Sequence, residues 1–333
     1  MFKKFVFAAF LFSFFQVSHA QKINLLTSGT KASFRGLSVP NDSTIWVSGS
    51  NGTVGKSTNS GKTWQWKQVP GFEKTDFRDI EASDSNTAII MAIAEPAYIL
   101  RTVNGGKQWD IVYKNDTKGM FLDAMDFIDH QHGIVVGDPI NGKIFLATTN
   151  NGGASWIEMA ENKRPSADSG EACFASSGTN IKMTAKNKYL LVTGGLNSNL
   201  VIDGYKKIAL PIQKGKETTG ANSIAYHNKK IMVAGGDFMN KDSIAGNFIF
   251  TKNKGKRFIH SLHPPSGYRS CVAFINGKTW VTCGLNGVDI TLNNGKSFIK
   301  ISDESFHVVQ KSKTGNNVFL AGEKGKVAVV SYE

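Results

Sequence analysis

The sequence predicts an all-β fold, a seven-bladed β-propeller of four-stranded antiparallel blades. Three observations predict it: a short turn phrase that recurs along the chain, seven apolar runs of strand length, and no segment with helical periodicity. The phrase occurs five times, and its copies begin 45, 47, 102 and 40 residues apart. Because the longest interval is about twice the others, one copy has decayed. Repeats of this period with Gly/Asn turns are typical of propellers.

Each copy of the phrase has a hydroxyl residue, an Asn two places later, a Gly two places after that, and an aromatic residue at its end. Asn bonds to the backbone ahead of it and Gly accepts positive φ, so the phrase suits a tight turn between strands. The aromatic residue opens the outer strand, where it buries about 150–250 Å² against its own or the neighbouring blade. The pairs, which we interpret as structural, are Asn59 and Trp64, Asn104 and Trp109, Asn151 and Trp156, Asn253 and Phe258, and Asn293 and Phe298.

Seven near-continuous apolar runs predict the second strand of each blade, since a strand covered on both sheet faces loses its alternation. They begin at Ile45, Ala88, Gly133, Leu190, Ile231, Trp280 and Val318. The first strands, which would line the axis, begin near Phe34, Phe77, Phe121, Glu171, Asn222, Tyr268 and Phe306. The last blade lacks a fourth strand of its own. We expect residues 22–27 to supply it and close the ring.

Residues 1–20 predict a signal peptide, with a basic start at Lys3 and Lys4, an apolar run over residues 5–15, and Ser18-His19-Ala20 as a cleavage site. We therefore expect an exported chain, periplasmic or extracellular, whose single mature domain covers residues 21–333. No later stretch predicts a transmembrane segment. The formal net charge of +13 becomes +11 after cleavage. The lysines are spread over turns, so no nucleic-acid partner is expected, and the chain is expected to be a monomer.

The three cysteines, Cys173, Cys271 and Cys283, are too few for a disulfide framework. Cys271 and Cys283 should lie on neighbouring strands of one hairpin. A two-residue turn at Asn276-Gly277 would pair Cys271 with Thr282 and put the two thiols on opposite faces, whereas a turn one residue different would bring them together. Buried free thiols are the preferred interpretation, and a disulfide is the alternative.

In a four-stranded blade, the start of the first strand and the loop between the second and third strands reach the same end of the propeller. We call this end the mouth, and the Asn/Gly turns lie at the opposite end. Polar side chains at these positions would converge on one pocket. The first-strand starts contribute Arg35, Arg78, Asp123, Glu171, Asn222, Arg269 and His307. The loops contribute, among others, Glu95, Asp138 and Asp237.

Three interpretations of these mouth residues stay open. Arginines and carboxylates of neighbouring blades could form ion pairs that hold the first strands together. They could instead line a ligand-binding pocket, or form a catalytic centre in which one carboxylate is the acid and another the base. For His307 the simpler role is that of a partly buried hydrogen-bonding residue. His260 and His263 have no third ligand near them in sequence, so no metal site is predicted.

The turn phrase resembles the Asp-box, or BNR, repeat, with Asn where the usual residue is Asp. Together with the aromatic-Arg strand starts Phe34-Arg35 and Phe77-Arg78, it makes the chain similar to the photosystem II stability/assembly factor-like family over nearly its whole mature length. The resemblance implies an assembly or recognition module that binds through the mouth. Exported bacterial members of that family are often labelled oxidoreductases. This sequence has no dinucleotide, haem or iron–sulfur motif, so no cofactor is expected.

More distantly, the chain resembles sialidase-like and sortilin-like propellers. Phe34-Arg35, followed by Pro40, resembles the aromatic-Arg-Ile-Pro start of sialidases, although Pro40 is displaced and the predicted blades number seven rather than six. In such enzymes arginines clamp a substrate carboxylate, and Arg35, Arg78 and Arg269 resemble that clamp. The alternative function is a glycan-acting enzyme, a hydrolase or lyase. The expected partner is accordingly a protein or a carbohydrate.

Overall fold

The computed structural model describes residues 21–332, so the expected signal peptide at residues 1–20 lies outside the described residues. This part of the chain folds into seven four-stranded antiparallel blades, which confirms the predicted seven-bladed propeller. Its regular structure is almost entirely strand, with a single-turn 3-10 helix, η1, at Glu161–Lys163. Within residues 21–332, no helix is long and apolar enough to cross a membrane.

The strands are numbered in chain order. The first fifteen are β1 Gln21–Thr27, β2 Phe34–Ser38, β3 Ile45–Gly49, β4 Thr53–Ser57, β5 Gln65–Gln68, β6 Phe77–Ala82, β7 Ala88–Ala92, β8 Ala97–Thr102, β9 Asp110–Asn115, β10 Leu122–Phe127, β11 Gly133–Ile140, β12 Lys143–Thr149, β13 Ile157–Glu158, β14 Glu171–Ala172 and β15 Ile181–Ala185. The others are β16 Lys188–Val192, β17 Gly194–Gly195, β18 Asn199–Ile202, β19 Lys206–Ala209, β20 Thr219–His227, β21 Lys230–Asp237, β22 Phe248–Thr251, β23 Ile259–His260, β24 Cys271–Asn276, β25 Thr279–Gly284, β26 Gly287–Thr291, β27 Ile299–Ser302, β28 Val308–Lys311, β29 Val318–Ala321 and β30 Val327–Tyr332.

Most blades run outward from the axis in chain order. Blades 1, 2 and 3 are β2–β5, β6–β9 and β10–β13, blades 5 and 6 are β20–β23 and β24–β27, and blade 4 is β15, β16, β18 and β19. The short strands β14 and β17 extend the sheet of blade 5 at its β20 edge. The seven predicted second strands are β3, β7, β11, β16, β21, β25 and β29. Each is largely buried, which explains why its sequence lacks alternation.

The ring closes by the pairing of β1 with β30, as predicted. Blade 7 consists of β28, β29, β30 and then β1, which pairs antiparallel with β30. In this register Ile23 lies opposite Val330 and Lys22 opposite Ser331. Ile23 and Leu26 pack on the apolar cluster shared by blades 1, 6 and 7. The pairing covers an edge of β30 that would otherwise present unbonded backbone groups.

The recurring phrase forms the same turn in every copy. The Ser57 hydroxyl donates to Asn59 Oδ1 at 3.0 Å and accepts the backbone N–H of Gly61 at 2.9 Å. Asn59 Oδ1 also accepts the N–H of Thr63 at 2.9 Å, and the other four Asn residues accept the equivalent bond at 3.0–3.1 Å. In blade 4 a short turn containing Gly204 joins β18 to β19 in place of the phrase. The decayed copy is therefore a shortened turn.

The aromatic ends of the phrases pack within and between blades. Trp109 of blade 2 meets Trp46 of blade 1 edge to face at 6.3 Å, and Phe298 of blade 6 meets Phe248 of blade 5 at 4.6 Å. Trp156 packs on Phe127 of its own blade at 5.9 Å. Apolar clusters fill the spaces between adjacent blades. The core is thus a ring of interfaces, as expected of a propeller.

Polar side chains on the innermost strands bond four blades to the blade that follows each of them. In four places a Ser or Asp near the axis accepts a backbone N–H from the innermost strand of the following blade. The acceptor and donor residues are Ser38 and Ala82 at 2.9 Å, Asp79 and Met125 at 2.7 Å, Asp126 and Met183 at 2.6 Å, and Ser223 and Val272 at 3.0 Å. These bonds satisfy N–H groups that face the channel rather than a neighbouring strand.

The expected register of the Cys271 hairpin is wrong. Cys271 lies directly opposite Cys283, because Asn276 pairs with Thr279 and the register then shifts between Phe274 and Asn276. Both thiols are buried and free. The two-residue turn lies at Gly277-Lys278, one position later than expected, and would alone pair Cys271 with Gly284. The extra residue of the shift moves the partner back to Cys283, which brings the thiols onto one face.

Ring closure by β1 can be tested by deletion. A chain beginning at residue 28 loses the packing of the partly buried Ile23 and Leu26 and the pairing of β1 with β30, so its free energy of unfolding should fall by roughly 3 kcal/mol. The uncovered edge of β30 should also promote self-association. Urea unfolding and size-exclusion chromatography measure the two effects. Leu25→Asp is the matched control, because the Leu25 side chain is 57% exposed and its replacement should change neither. An unchanged unfolding midpoint for the shortened chain would contradict closure by β1.

Candidate functional site

Single-residue bulges direct polar side chains to the mouth. The register of the innermost strand shifts by one residue in blades 1, 2, 3 and 5, between Phe34 and Gly36 and at the equivalent points. A bulge leaves one residue unpaired and turns its side chain away from the regular alternation. The extra residues are Arg35, Arg78, Asp123 and Asn222. Four of the predicted mouth residues therefore owe their direction to the same local irregularity.

Blade 4 interrupts its first strand with a segment that crosses the channel. The predicted start at Glu171 is wrong for blade 4: Glu171 lies in β14, and the innermost strand, β15, begins at Ile181. We call residues 173–180 between them the plug segment. Its Ser176 carbonyl accepts a bond from Arg35 Nη1 at 3.1 Å in blade 1, and Ser177 Oγ donates to the Ser270 carbonyl at 2.7 Å beside blade 6. The segment thus reaches from blade 4 to blades on the other side of the axis.

Gly178 allows the plug segment to pass close to blade 2. Its φ is +65°, and a Cβ atom at this position would lie 2.3 Å from Asp79 Cγ. A side chain there would therefore be both strained and in collision. One feature of the sequence indicates this segment. The predicted starts of the first and second strands are 19 residues apart in blade 4, from Glu171 to Leu190, and 9–12 residues apart in the other blades.

The plug segment separates two cavities. The mouth cavity, of about 390 Å³, is lined on one side by the plug segment and on the others by first-strand starts. A second cavity, of about 380 Å³, lies at the far ends of the innermost strands and is lined by Gly178, Thr179 and several lysines. The residues of the mouth cavity are Arg35, Arg78, Phe121, Asp138, Ala172, Cys173, Phe174, Ala175, Ser176, Asn222, Phe238, Tyr268, Ser270, Leu285 and His307.

Two arginines give the mouth cavity its charge. Burial and the neighbouring Arg78 lower the pKa of Arg35, whose Nη1 bonds a backbone carbonyl rather than a carboxylate. Arg78 makes a partly exposed ion pair with Asp76 at 3.4 Å, and its Nε has no hydrogen-bond partner. Guanidinium groups present fixed, fork-shaped donors for planar anions. The cavity therefore offers two cations whose donors are incompletely used within the described chain.

Aromatic rings and neutral polar groups form the other walls. Phe238 meets Phe174 at 5.9 Å and Tyr268 at 6.3 Å, both edge to face. The Tyr268 hydroxyl donates to Asn222 Oδ1 at 2.9 Å, and burial raises the pKa of Tyr268 to about 12. His307 bonds Ser33 Oγ through Nε2 at 3.3 Å. Burial, Arg35 and Arg78 lower the pKa of His307 to about 3, so it is neutral at physiological pH.

Acidic groups lie at one side of the cavity, next to a thiol. Asp138 accepts the backbone N–H of Cys173 at 2.9 Å, and burial raises the pKa of Asp138. Asp123 is fully buried, and neither of its oxygens receives a hydrogen bond of ordinary geometry. Burial and the neighbouring Asp138 raise the pKa of Asp123 well above its usual range. Burial, Asp123 and Asp138 likewise raise the pKa of the Cys173 thiol.

Of the eight predicted mouth candidates, Arg35, Arg78, Asp138 and His307 line one cavity, and four others do not. Arg269 is fully buried in an ion pair, with its Nε 2.6 Å from Asp289 Oδ2. Glu171 is buried against Lys207, whose Nζ lies 2.5 Å from Oε2, and also accepts Asn199 Nδ2 at 3.0 Å. Arg269 is thus paired within blade 6, and Glu171 is paired with a lysine of β19, so neither ion pair joins the first strands of two neighbouring blades.

The remaining two candidates stabilise local backbone. Glu95 is exposed and accepts the backbone N–H of Gly119. Asp237 is buried and accepts the N–H of Met239 at 3.0 Å, in the turn that follows β21. Within the described chain, neither residue lines the mouth cavity.

Replacing Arg269 tests its structural role. Arg269→Ala would leave the Asp289 carboxylate buried without its counter-ion, so the free energy of unfolding should fall by about 3–5 kcal/mol. The paired variant Arg269→Met with Asp289→Leu removes both charges and should recover most of this loss. Urea unfolding of the three proteins measures the effect. Arg269→Ala with wild-type stability would show that the ion pair is unimportant.

The neutral state of His307 predicts a pH-dependent contribution to stability. In the unfolded chain histidine titrates near its ordinary pKa of 6.5, whereas folding lowers the pKa of His307 to about 3. The free energy of unfolding is therefore unaffected by the titration of His307 above pH 6.5 and decreases as the pH falls toward 3, because the unfolded chain binds the proton and the folded chain does not. The decrease is roughly 3 kcal/mol at about pH 4. His307→Gln, which can still bond Ser33, should remove this part of the dependence. Equal pH profiles of unfolding for both proteins would contradict a buried neutral histidine.

Comparison with known proteins identifies the fold. No protein-family model and no curated protein sequence matches the chain. Among solved structures, YCF48 bound to a D1 peptide superposes with a TM-score of 0.65 at 12% identity, over 93% of this chain and 95% of that one. YCF48 from Cyanidioschyzon merolae gives 0.66 at 16% identity, over 93% and 98%. The WD40 propeller domain of Doa1 gives 0.63 at 12% identity, over 94% and 97%. The chain is therefore similar in fold to photosystem II assembly-factor and WD40-type β-propellers.

Proposed function

We propose that this chain is a recognition module that binds an acidic segment of a partner protein in its mouth cavity. The observation that carries the proposal is the composition of that cavity. Arg35 and Arg78 line it together with four aromatic side chains, and Asp138 is its one carboxylate among the described residues. Arginine forks bind carboxylates in two-point geometry, and aromatic rings cover apolar side chains at small entropic cost. A peptide supplies a carboxylate for the arginines and an apolar side chain for the aromatic rings on adjacent residues.

The fold neighbours support a peptide as the ligand. YCF48 has been solved with a D1 peptide, so a propeller of this shape accommodates a peptide. The recurring turn phrase and the aromatic-Arg strand starts support placing the chain with the Asp-box assembly factor-like proteins. The features of residues 1–20 support export to the periplasm or beyond. We accordingly propose an exported binding or assembly factor.

The alternative, a glycan-acting enzyme, has weaker support from the geometry. Glycoside hydrolysis requires an acid and a second carboxylate that face one substrate. Of the acidic candidates, Asp138 lines the mouth cavity, while Asp123 is fully buried and Glu171 is bonded to Lys207. Arg269, the third member of the arginine clamp suggested by the sialidase resemblance, is occupied by Asp289. We therefore favour binding over catalysis.

The proposal predicts a charge-dependent affinity for peptides. The probe is a set of short fluorescent peptides that contain an aliphatic residue next to Asp or Glu, measured by fluorescence anisotropy. Arg35→Gln and Arg78→Gln should each weaken binding about 10-fold or more, because each removes a charge-assisted hydrogen bond. Replacing the acidic residue of the peptide by its amide should weaken binding to the wild type by a similar factor.

A far-face lysine provides the matched control. Lys62→Gln removes one positive charge from an exposed turn at the opposite end of the blades, so it should leave peptide affinity unchanged. Equal losses for Lys62→Gln and the arginine variants would indicate nonspecific attraction to a basic protein. The alternative function would be favoured if the wild-type protein bound none of the peptides but hydrolysed members of a set of glycan substrates.

A further inference from the structure

One group of potential metal ligands lies beside the mouth cavity. Asp123 is the bulge residue of β10, Asp138 stands near the end of β11, and Cys173 is the first residue of the plug segment. One carboxylate oxygen from each Asp and the Cys173 sulfur lie within 4.8 Å of one another. Three separate backbone features, the bulge at Asp123, the register shift at Asp138 and the start of the plug segment, thus place two oxygens and a sulfur around one point.

Asp123 lacks the contacts that a buried carboxyl normally has. Its side chain is 0% exposed, and neither oxygen receives a hydrogen bond of ordinary geometry from the described residues, although, against the effect of burial, the backbone N–H of Ala175 is near enough to lower the pKa of the carboxyl slightly. Burying such a group without a partner costs several kcal/mol in most settings, and buried carboxylates are usually paired or bound to a cation. Arg78, the nearby cation, places its Nη2 on Asp76 instead. The carboxyl of Asp123 thus lies beside Asp138 and Cys173 rather than in an ion pair with Arg78.

We propose that Asp123, Asp138 and Cys173 bind a divalent zinc ion at the wall of the mouth cavity. Zinc takes thiolate, carboxylate and water ligands in a tetrahedron, with Zn–S near 2.3 Å and Zn–O near 2.1 Å. Ligand atoms in such a tetrahedron are about 3.4–3.6 Å apart, so a pair of groups at the 4.8 Å limit has to close by about 1.2–1.4 Å. The fixed sulfur ligand favours zinc over calcium or magnesium, which prefer oxygen ligands alone.

The surroundings fit the charge of a zinc site. Three anionic ligands and one Zn²⁺ leave one net negative charge, and the neighbouring Arg78 guanidinium balances it. On binding, the Cys173 thiol and any protonated carboxyl release their protons to solvent. Asp138 and Cys173 line the cavity, so the ion has a path of entry and a fourth position that faces the cavity. A water molecule completes the shell, as in zinc sites that keep one position open.

Cobalt binding tests the proposal directly. The mature chain, without a histidine tag and freed of metal by a chelator, is titrated with Co²⁺, and near-ultraviolet absorption is recorded. A thiolate bound to Co²⁺ gives a charge-transfer band that oxygen and nitrogen ligands do not give. We expect this band at one equivalent of Co²⁺, and its loss when Zn²⁺ is added. Elemental analysis after zinc loading should give one zinc per chain.

Variants assign the ligands. Cys173→Ser should abolish the band, and Asp123→Asn should weaken metal affinity at least 10–100-fold, the range observed even for residues that only support a ligand. Cys271→Ser and Cys283→Ser are the matched controls, because both thiols are buried and lie outside the group, so the band should persist. Circular dichroism and thermal melting check that each variant is folded. A band that survives Cys173→Ser would overturn the assignment, and a folded wild-type chain that gives no band would overturn the site itself.

Discussion

The hydrogen bonds between the innermost strands are the constraint on which the rest of this propeller depends. Each of these strands has one edge in its own blade and the other toward the channel, where water or another blade must satisfy its N–H groups. Ser38, Asp79, Asp126 and Ser223 accept such groups from the following blade. A buried Asp used in this way is costly to ionise, and burial raises the pKa of both Asp79 and Asp126. The ring is thus held by directional bonds at its centre and by apolar packing farther out.

The bulges relate this constraint to the mouth. A regular strand would place consecutive side chains on opposite blade faces, toward the neighbouring blades. The one-residue shifts at Arg35, Arg78 and Asn222 free a side chain for the cavity, the shift at Asp123 places a buried carboxyl beside it, and each shift restores the alternation beyond the bulge. The residues that follow each bulge then remain in phase to bond the next blade. The mouth chemistry and the ring bonds are therefore set by the same irregularity.

The sequence predicted the blades well because their signals are local. Turn chemistry, apolar runs and the spare N-terminal strand each depend on a few adjacent residues. The predicted register of Cys271 was wrong because the turn lies one residue later than the Asn-Gly pair suggests and a bulge near Ile275 adjoins it, and the local sequence pattern shows neither change. Arg35 and Arg269 occupy equivalent positions in their blades, yet only Arg35 lines the cavity. Arg269 is held in an ion pair by Asp289, which lies on another strand of the same blade. The spacing of residues in the sequence does not show which carboxylate will pack against which arginine.

The plug segment changes what kind of object this propeller is. A propeller with an open axis is a tube, in which both ends share one lumen. Here blade 4 sends residues 173–180 across the axis, and the mouth becomes a cup with its own floor. The floor belongs to no repeat, and Gly178 and the bonds of Ser176 and Ser177 fix its path against other blades. The depth of the cup is thereby set by one inserted segment, while its walls are set by the strand starts of the repeats.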